Sequence, residues 1–265
     1  MAGSRLVATG GVSQIEGAAG GGLTPWAVIA GYGTADEIGG SGYVTRAHTD
    51  DGFGLSSVGI AIGLYNRVEL SAARVRLGLG TTVPGQHVRM NVFGLKVRLF
   101  GDAVYDQDSW WPQVSIGLQH KRHTDFDFIP RLLGAHRGNG TDLYVSATKV
   151  WLAGLAGRNV VTSLTIRSTA ANQYGLLGFS GPRGGRTIVP EVSTAVFLND
   201  RLLMGAEYRK KPDLLASFGE ESAIDVFATW FIHRSINVTL AFLDLGRIAD
   251  KPDQKAWYLS VSVDY

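Results

Sequence analysis

Few residues of this 265-residue chain are of a type and spacing that could do chemistry. His120-Lys121-Arg122-His123 sets two histidines three apart, which on a helix could serve a metal. At a strand end the same spacing sends the two side chains to opposite faces, and a solvated loop edge is the simpler reading. His48, His87, His136 and His233 have no ligand spacing. Ser180, in Gly178-Phe179-Ser180-Gly181, lacks the frame of a nucleophile elbow, and no histidine is expected in register beside it. A lipid hydrolase is therefore the weakest functional class, and the expectation is a protein that is not an enzyme. Gly31-Tyr32-Gly33 has no third glycine at the needed distance and no helix after it, so it is not a dinucleotide loop. There is no cysteine, and neither a metal nor a cofactor is expected.

A second set of residues is more informative. Lys96, Arg98, Lys121, Arg167 and Arg209, with Asp142, Glu191, Glu207 and Asp225, are isolated charges among Ser, Gly, Thr and Gln. They belong to segments that alternate with a period of two. In 257–265, Trp257, Leu259, Val261, Val263 and Tyr265 share one face, while Tyr258, Ser260, Ser262 and Asp264 share the other. A helix would mix these sets; a strand separates them. Val58, Ile60, Ile62 and Leu64 repeat the pattern, as do Val114, Ile116 and Leu118, and Ile236, Val238, Leu240 and Phe242.

Soluble sandwiches alternate too, but three features point to a membrane barrel. The polar faces are small rather than rich in lysine and glutamate. The strands run about 9–12 residues, the length that crosses a bilayer at a tilt. Aromatic residues (Trp26, Tyr65, Phe100, Trp110, Trp111, Trp151, Trp230, Phe231, Trp257, Tyr265) collect near strand ends, as in an interfacial girdle. Composition agrees. Apolar residues are 45% of the chain and charged ones only 18%, yet no run is long enough for a membrane helix. A net charge of +2 gives no reason to expect nucleic acid. No signal peptide is visible, so the chain reads as a mature form.

Tight turns at 66–67, 199–200 and 234–235 alternate with longer segments at 78–85, 123–140, 169–186, 211–220 and 246–255. In membrane barrels the short turns face the periplasm and the long loops face outside. Strands are expected at 25–33, 41–48, 54–65, 68–77, 87–100, 112–122, 141–150, 159–168, 187–198, 201–210, 221–233, 236–244 and 256–265. Thirteen is odd, and a first strand at residues 5–9 makes fourteen. The expected fold is all-β, a transmembrane antiparallel up-and-down barrel of about fourteen strands, with twelve as the alternative. Apolar phases that switch within 68–77 and 87–100 suggest bulges near Ala72-Ala73 and Phe93-Gly94. Residues 1–24 form a glycine-rich unit, a first strand or a lumen segment, and 25–265 the barrel. Over half of 10–24 is glycine or alanine, which suits close approach to a wall, and the lumen is the favoured place for it.

The chain resembles a proteobacterial family of outer-membrane proteins known only as a domain of unknown function. The likeness rests on residues 9–26, on 97–106 (Val97-Arg98-Leu99-Phe100-Gly101-Asp102 onward), on 172–179 (Asn172-Gln173-Tyr174-Gly175 onward) and on Gly205-Ala206-Glu207-Tyr208-Arg209. It implies a barrel and an outer-membrane location, and no activity. Leu259, Val261, Val263 and Tyr265 also resemble the C-terminal signal that such barrels present to the barrel-assembly machinery. The expected partners are outer-membrane lipids, that machinery and an envelope protein. The reading is a narrow channel, a porin for small solutes whose selectivity the lumen charges tune, with a non-conducting structural or partner-anchoring barrel as the alternative.

Overall fold

In lipid every backbone N–H and C=O must be satisfied within the protein, and among the described residues no helix is long and apolar enough to cross a membrane. A closed sheet meets that demand without leaving an edge. The computed structural model, which describes residues 8–265, is such a sheet. Two short strands, β1 (Val12–Ser13) and β2 (Ala19–Gly20), pair with each other, and Gly20 also bridges to Pro25. The wall consists of β3 (Ile38–Thr49), β4 (Phe53–Leu64), β5 (Val68–Leu79), β6 (His87–Phe100), β7 (Gln113–His123) and β8 (Asn139–Leu155). It continues with β9 (Arg158–Thr169), β10 (Thr187–Asn199), β11 (Leu202–Arg209), β12 (Ala223–His233), β13 (Ile236–Asp244) and β14 (Lys255–Asp264). Each strand pairs antiparallel with the next, and β14 closes on β3 with Val261 opposite Val44.

The wall therefore has twelve strands, the alternative count rather than fourteen. Of the first strand expected at 5–9, residues 5–7 lie outside the described residues, and Ala8 and Thr9 form a turn. The strand expected at 25–33 is also absent from the wall. These residues include a strand-length apolar run, but the structure buries every one of them, and most form bends. The interior stretch thus runs on to Gly33 and does not stop at residue 24. Its backbone bonds go to wall side chains in place of a neighbouring strand.

Outward residues are exposed and their neighbours buried along each strand: Ile60 is 59% exposed while Gly59 and Ala61 face inward. The two bulges expected in β5 and β6 are not there. Pairing runs without a shift through Ala72-Ala73 and Phe93-Gly94, and β6 slips only between Arg98 and Phe100. The switch in apolar phase has another cause. Near the long-loop end the lumen face itself is apolar, with Val75, Leu77, Val88, Met90 and Val92 packed against Leu176 and Phe179. The same stretch turns Arg74, Arg76 and Arg89 outward.

The short turn at 50–52 lies at one end of the barrel, whereas the tight turns at 65–67, 156–157, 200–201 and 234–235 share the opposite end with the C-terminus. Tyr265 accepts hydrogen bonds there through its carbonyl oxygen from the amides of Tyr32 (3.0 Å) and Gly40 (2.9 Å). The longer loops lie at the other end, except for residues 101–112, which join β6 to β7 at the tight-turn end. That segment carries Trp110 and Trp111, 84% and 68% exposed, beside Phe100 and Trp151. Two members of the expected girdle are inside instead: Trp26 and Phe231 are buried.

Candidate functional site

The site is the lumen, and it is occupied. Residues 9–33 enter and leave at the tight-turn end and are buried almost throughout. From the opposite end, the loop after β9 folds inward over residues 170–181, likewise buried. A chain without regular structure must find partners for its peptide groups, and the wall supplies them. The Glu69 carboxylate accepts from the amides of Ala19 (3.1 Å) and Ala30 (3.0 Å), while Lys96 Nζ donates to the carbonyls of Ala19 (3.0 Å) and Val28 (2.8 Å). Glu69 and Lys96 are cross-strand partners 2.9 Å apart, so one ion pair holds both arms of the segment. Glu207 accepts from Leu23 N and Thr24 Oγ1, both at 2.6 Å. Gln113 and Ser115 each donate to the Ala27 carbonyl, and Tyr43 and Ser57 to that of Ile15. Small wall residues permit the contact: a Cβ on Gly63 would lie 2.2 Å from the Ala30 oxygen.

Five consecutive strands then present one buried charge each, alternating in sign. Lys121 (β7) meets Asp142 (β8) at 2.7 Å, and Asp142 meets Arg167 (β9) at 3.5 Å. Arg167 pairs with Glu191 (β10), which meets Arg209 (β11) at 3.3 Å. Three cations and two carboxylates leave this ladder one positive charge in excess. Glu16 of the inner segment supplies the missing carboxylate, bonding Arg209 at 2.8 Å and also Lys121, the two ends of the ladder. Burial pushes the Glu16 carboxyl up, but Arg209, Lys121 and Arg167 outweigh it and hold the group well below the usual carboxylate range. The loop from the other end meets the same ring: Lys121 donates to the Tyr174 carbonyl at 3.1 Å, and the Arg209 guanidinium lies 4.4 Å from the centre of the Tyr174 ring.

Of the nine residues expected to line the lumen, Lys96, Lys121, Asp142, Arg167, Glu191, Glu207, Arg209 and Asp225 are buried inside. Asp225 lies directly across from Glu207. Arg98 stands apart at the tight-turn rim, bonded to the Gly101 carbonyl and Asp102. The sequence reading missed Glu16, Glu69, Tyr43 and Tyr174. The signal for Glu16 was present, since it is the one charged residue among the glycines and alanines of 10–24. His120 and His123 take opposite faces, His120 toward Thr141 outside and His123 toward the Leu176 carbonyl inside. Ser180 Oγ is bonded to Arg137 and to the Gly185 carbonyl. Leu259, Val261 and Val263 form an exposed outer stripe that ends on Tyr265.

Space left in the lumen is divided between its ends. About 330 Å³ opens at the tight-turn end beside Trp26, Val28 and Phe197. About 190 Å³ of apolar space lies among the long loops beside Phe53, Leu133 and Phe218. Only about 40 Å³ lies where Ile15 and Leu23 meet Tyr174.

Residues 9–262 match the model of a protein family of unknown function, DUF3034, and the chain belongs to that family. Comparison with curated proteins finds no significant match. Among solved structures the chain is similar to a KdgM porin, with a TM-score of 0.54 at 9% identity over 85% of this chain and 99% of the porin. A KdgM porin in complex with disordered oligogalacturonate gives 0.54 at 8% identity, over 85% of this chain and 99% of that one. The outer-membrane protein Omp33 of Acinetobacter baumannii gives 0.49 at 9% identity, over 88% of this chain and 100% of that one. At such identities the likeness to the KdgM porin is one of fold: an antiparallel outer-membrane-type barrel.

Proposed function

We propose that this member of the DUF3034 family is a bacterial outer-membrane channel for small solutes, held closed by its own N-terminal segment. One observation carries the reading: the charge ladder of the wall is complete only when Glu16 is in place. A wall built solely as a rigid stopper could balance its charges strand to strand. Here Lys121, Arg209, Glu69, Lys96 and Glu207 spend their bonding capacity on a separate segment. Withdrawal of residues 9–33 would leave a polar lumen in which the ladder's unmatched positive charge faces the Glu207 and Asp225 carboxylates. Twelve strands enclose more room than the eight that side chains alone can fill. The inward loop at 170–181 would then be the remaining constriction.

A second reading, a non-conducting barrel that anchors an envelope partner, is favoured by how fully the lumen is occupied. Planar-bilayer recording separates the two. The full chain should be almost silent, and protein refolded without residues 1–33 should show discrete openings. A truncated barrel that folds, shown by heat-modifiable migration, yet conducts no better than the full chain would rule out the channel.

A further inference from the structure

On most of the wall the outward face stays largely apolar toward the long-loop end: Ile224 and Val226 on β12, Phe242 on β13, Trp257 on β14. On β3 to β7 it does not. There the outward residues change from Val44, Val58, Phe93 and Leu118 to Arg46, Arg74, Arg76, Arg89 and Arg122, with His48, His87 and His120 among them. Strand pairing sets these in rows. Arg46 lies opposite Ser56, Ser56 opposite Arg76, and Arg76 opposite Arg89. In the next row Arg74 lies opposite Asn91, and Asn91 opposite Arg122. With adjacent strands about 4.8 Å apart, the whole set falls within about 20 Å across the wall.

No outward carboxylate on these strands answers the arginines. Asp125, in the following loop, pairs with Arg89 at 3.0 Å, and Arg74 reaches only Asn91. Arg46, Arg76 and Arg122 make no ion pair among the described residues. Unpaired guanidinium groups on a lipid-facing wall are costly unless an anion meets them. Between Arg46 and Arg76 the wall is also indented. Gly54, Ser56 and Gly78 floor a groove of about 490 Å³ that continues onto the apolar side chains of Leu240, Trp257 and Leu259. A cationic floor beside an apolar flank fits a molecule with phosphate at one end and hydrocarbon at the other. Guanidinium forks match phosphate oxygens in pairs.

We propose that the outer face of β3–β7 binds the phosphate groups of a membrane lipid in the leaflet at the long-loop end, with an acyl chain laid along Leu240 and Leu259. The site stands apart from the lumen and is independent of whether the barrel conducts.

The test uses full-chain protein, refolded and delipidated in neutral detergent and analysed by native mass spectrometry. The probes are a diphosphorylated glucosamine lipid, phosphatidylcholine and inorganic phosphate. The phosphorylated lipid should be retained at least tenfold better than phosphatidylcholine, and excess inorganic phosphate should not displace it. Each basic residue near an anionic lipid surface contributes about fivefold in affinity, so Arg46→Gln/Arg74→Gln/Arg76→Gln together should weaken retention about 100-fold. These side chains face outward, away from the packed lumen, and Arg76→Gln alone should give about fivefold if the triple variant folds poorly. Arg67→Gln/Arg201→Gln, in tight turns at the opposite rim, should change nothing. Equal retention of both lipids, an unaffected Arg76→Gln variant, or displacement by inorganic phosphate would each overturn the proposal, the last by marking a free-anion site.

Discussion

Replacing Glu16 by alanine removes the one carboxylate that joins the inner segment to both ends of the wall's charge ladder. Breaking a buried ion pair from one side costs about 3–5 kcal/mol, mostly because the partner is left charged and unmatched. Here the partners are not abandoned. Lys121 keeps Asp142 at 2.7 Å, and Arg209 keeps Glu191 at 3.3 Å and the Leu23 carbonyl at 2.9 Å. The lower end applies, about 3 kcal/mol, which raises the population with the segment displaced by roughly 150-fold. The wall pairing does not involve Glu16, so the barrel should still fold and migrate as a heat-modifiable species. Hydrogen exchange of residues 9–33 in the folded variant should quicken accordingly, and open events in planar bilayers should become more frequent. Glu16→Gln, which keeps hydrogen-bonding capacity but not charge, should lie between. Unchanged exchange in 9–33 in a folded Glu16→Ala barrel would refute the idea that the ladder holds the segment.

At the long-loop end Lys211 meets Glu220 at 3.3 Å, and Gln173 and the carbonyls of Leu245 and Arg247 complete a clasp between three loops. Burial, with Asp213 and Glu221 nearby, pushes the Glu220 carboxyl up to about 7 against the pull of Lys211, and burial also lowers Lys211. Closing the clasp therefore takes up a proton on Glu220, so its closed form is favoured at acid pH and loses ground as pH rises from about 4.5 through 7. Lys211 acts oppositely, regaining stability as pH climbs toward its ordinary value. Exchange protection of residues 209–223, corrected for intrinsic rates, should fall between pH 5 and 7.5, and Glu220→Gln should flatten that fall. Gly63→Ala would set a Cβ 2.2 Å from the Ala30 oxygen, and should cost about 1–3 kcal/mol by overpacking, read as faster exchange around residues 27–33 with the lipid face unaltered. Leu240→Arg, at the middle of the exposed stripe of β13, should cost about 2–4 kcal/mol in refolding into lipid bilayers; no cost there would contradict its lipid-facing position. Deleting Tyr265 removes the carbonyl that receives Tyr32 and Gly40, and should leave more unassembled protein in cells while loosening the segment's exit. Normal membrane insertion with unchanged exchange at Tyr32 would count against both effects.

The wall was legible because lipid on one side and a polar lumen on the other impose a strict period of two. Each of the twelve wall strands lies where alternation placed it, within a few residues at the ends. The reading failed wherever a residue's surroundings were not lipid or polar lumen. Residues 25–33 look like a strand because Trp26-Ala27-Val28-Ile29-Ala30 is a short apolar run, yet all five are buried inside the lumen. Their partners are Glu69, Lys96, Gln113 and Thr148, which no local pattern could have named. In β5 and β6 the rule was inverted. Val75, Leu77, Val88 and Met90 face an interior made apolar by Leu176 and Phe179, while arginines face out, so the sequence mimics a bulge where pairing is continuous.

The four stretches that carried the family resemblance show what alternation leaves out. Three of them meet in one place: Glu16 and Leu23 from residues 9–26, Tyr174 from 172–179, and Glu207 and Arg209 from β11. None of these contacts is local in sequence; Arg209 and Glu16 are 193 residues apart. A wall needs only the right period, and many sequences supply it. Closing the lumen needs Glu16 to meet Lys121 and Arg209 across the barrel, and a glycine such as Gly21, whose Cβ would strike the Glu207 carboxylate. Such requirements fix individual residues rather than a pattern. They place the distinctive chemistry of this barrel in the contact between segment and wall.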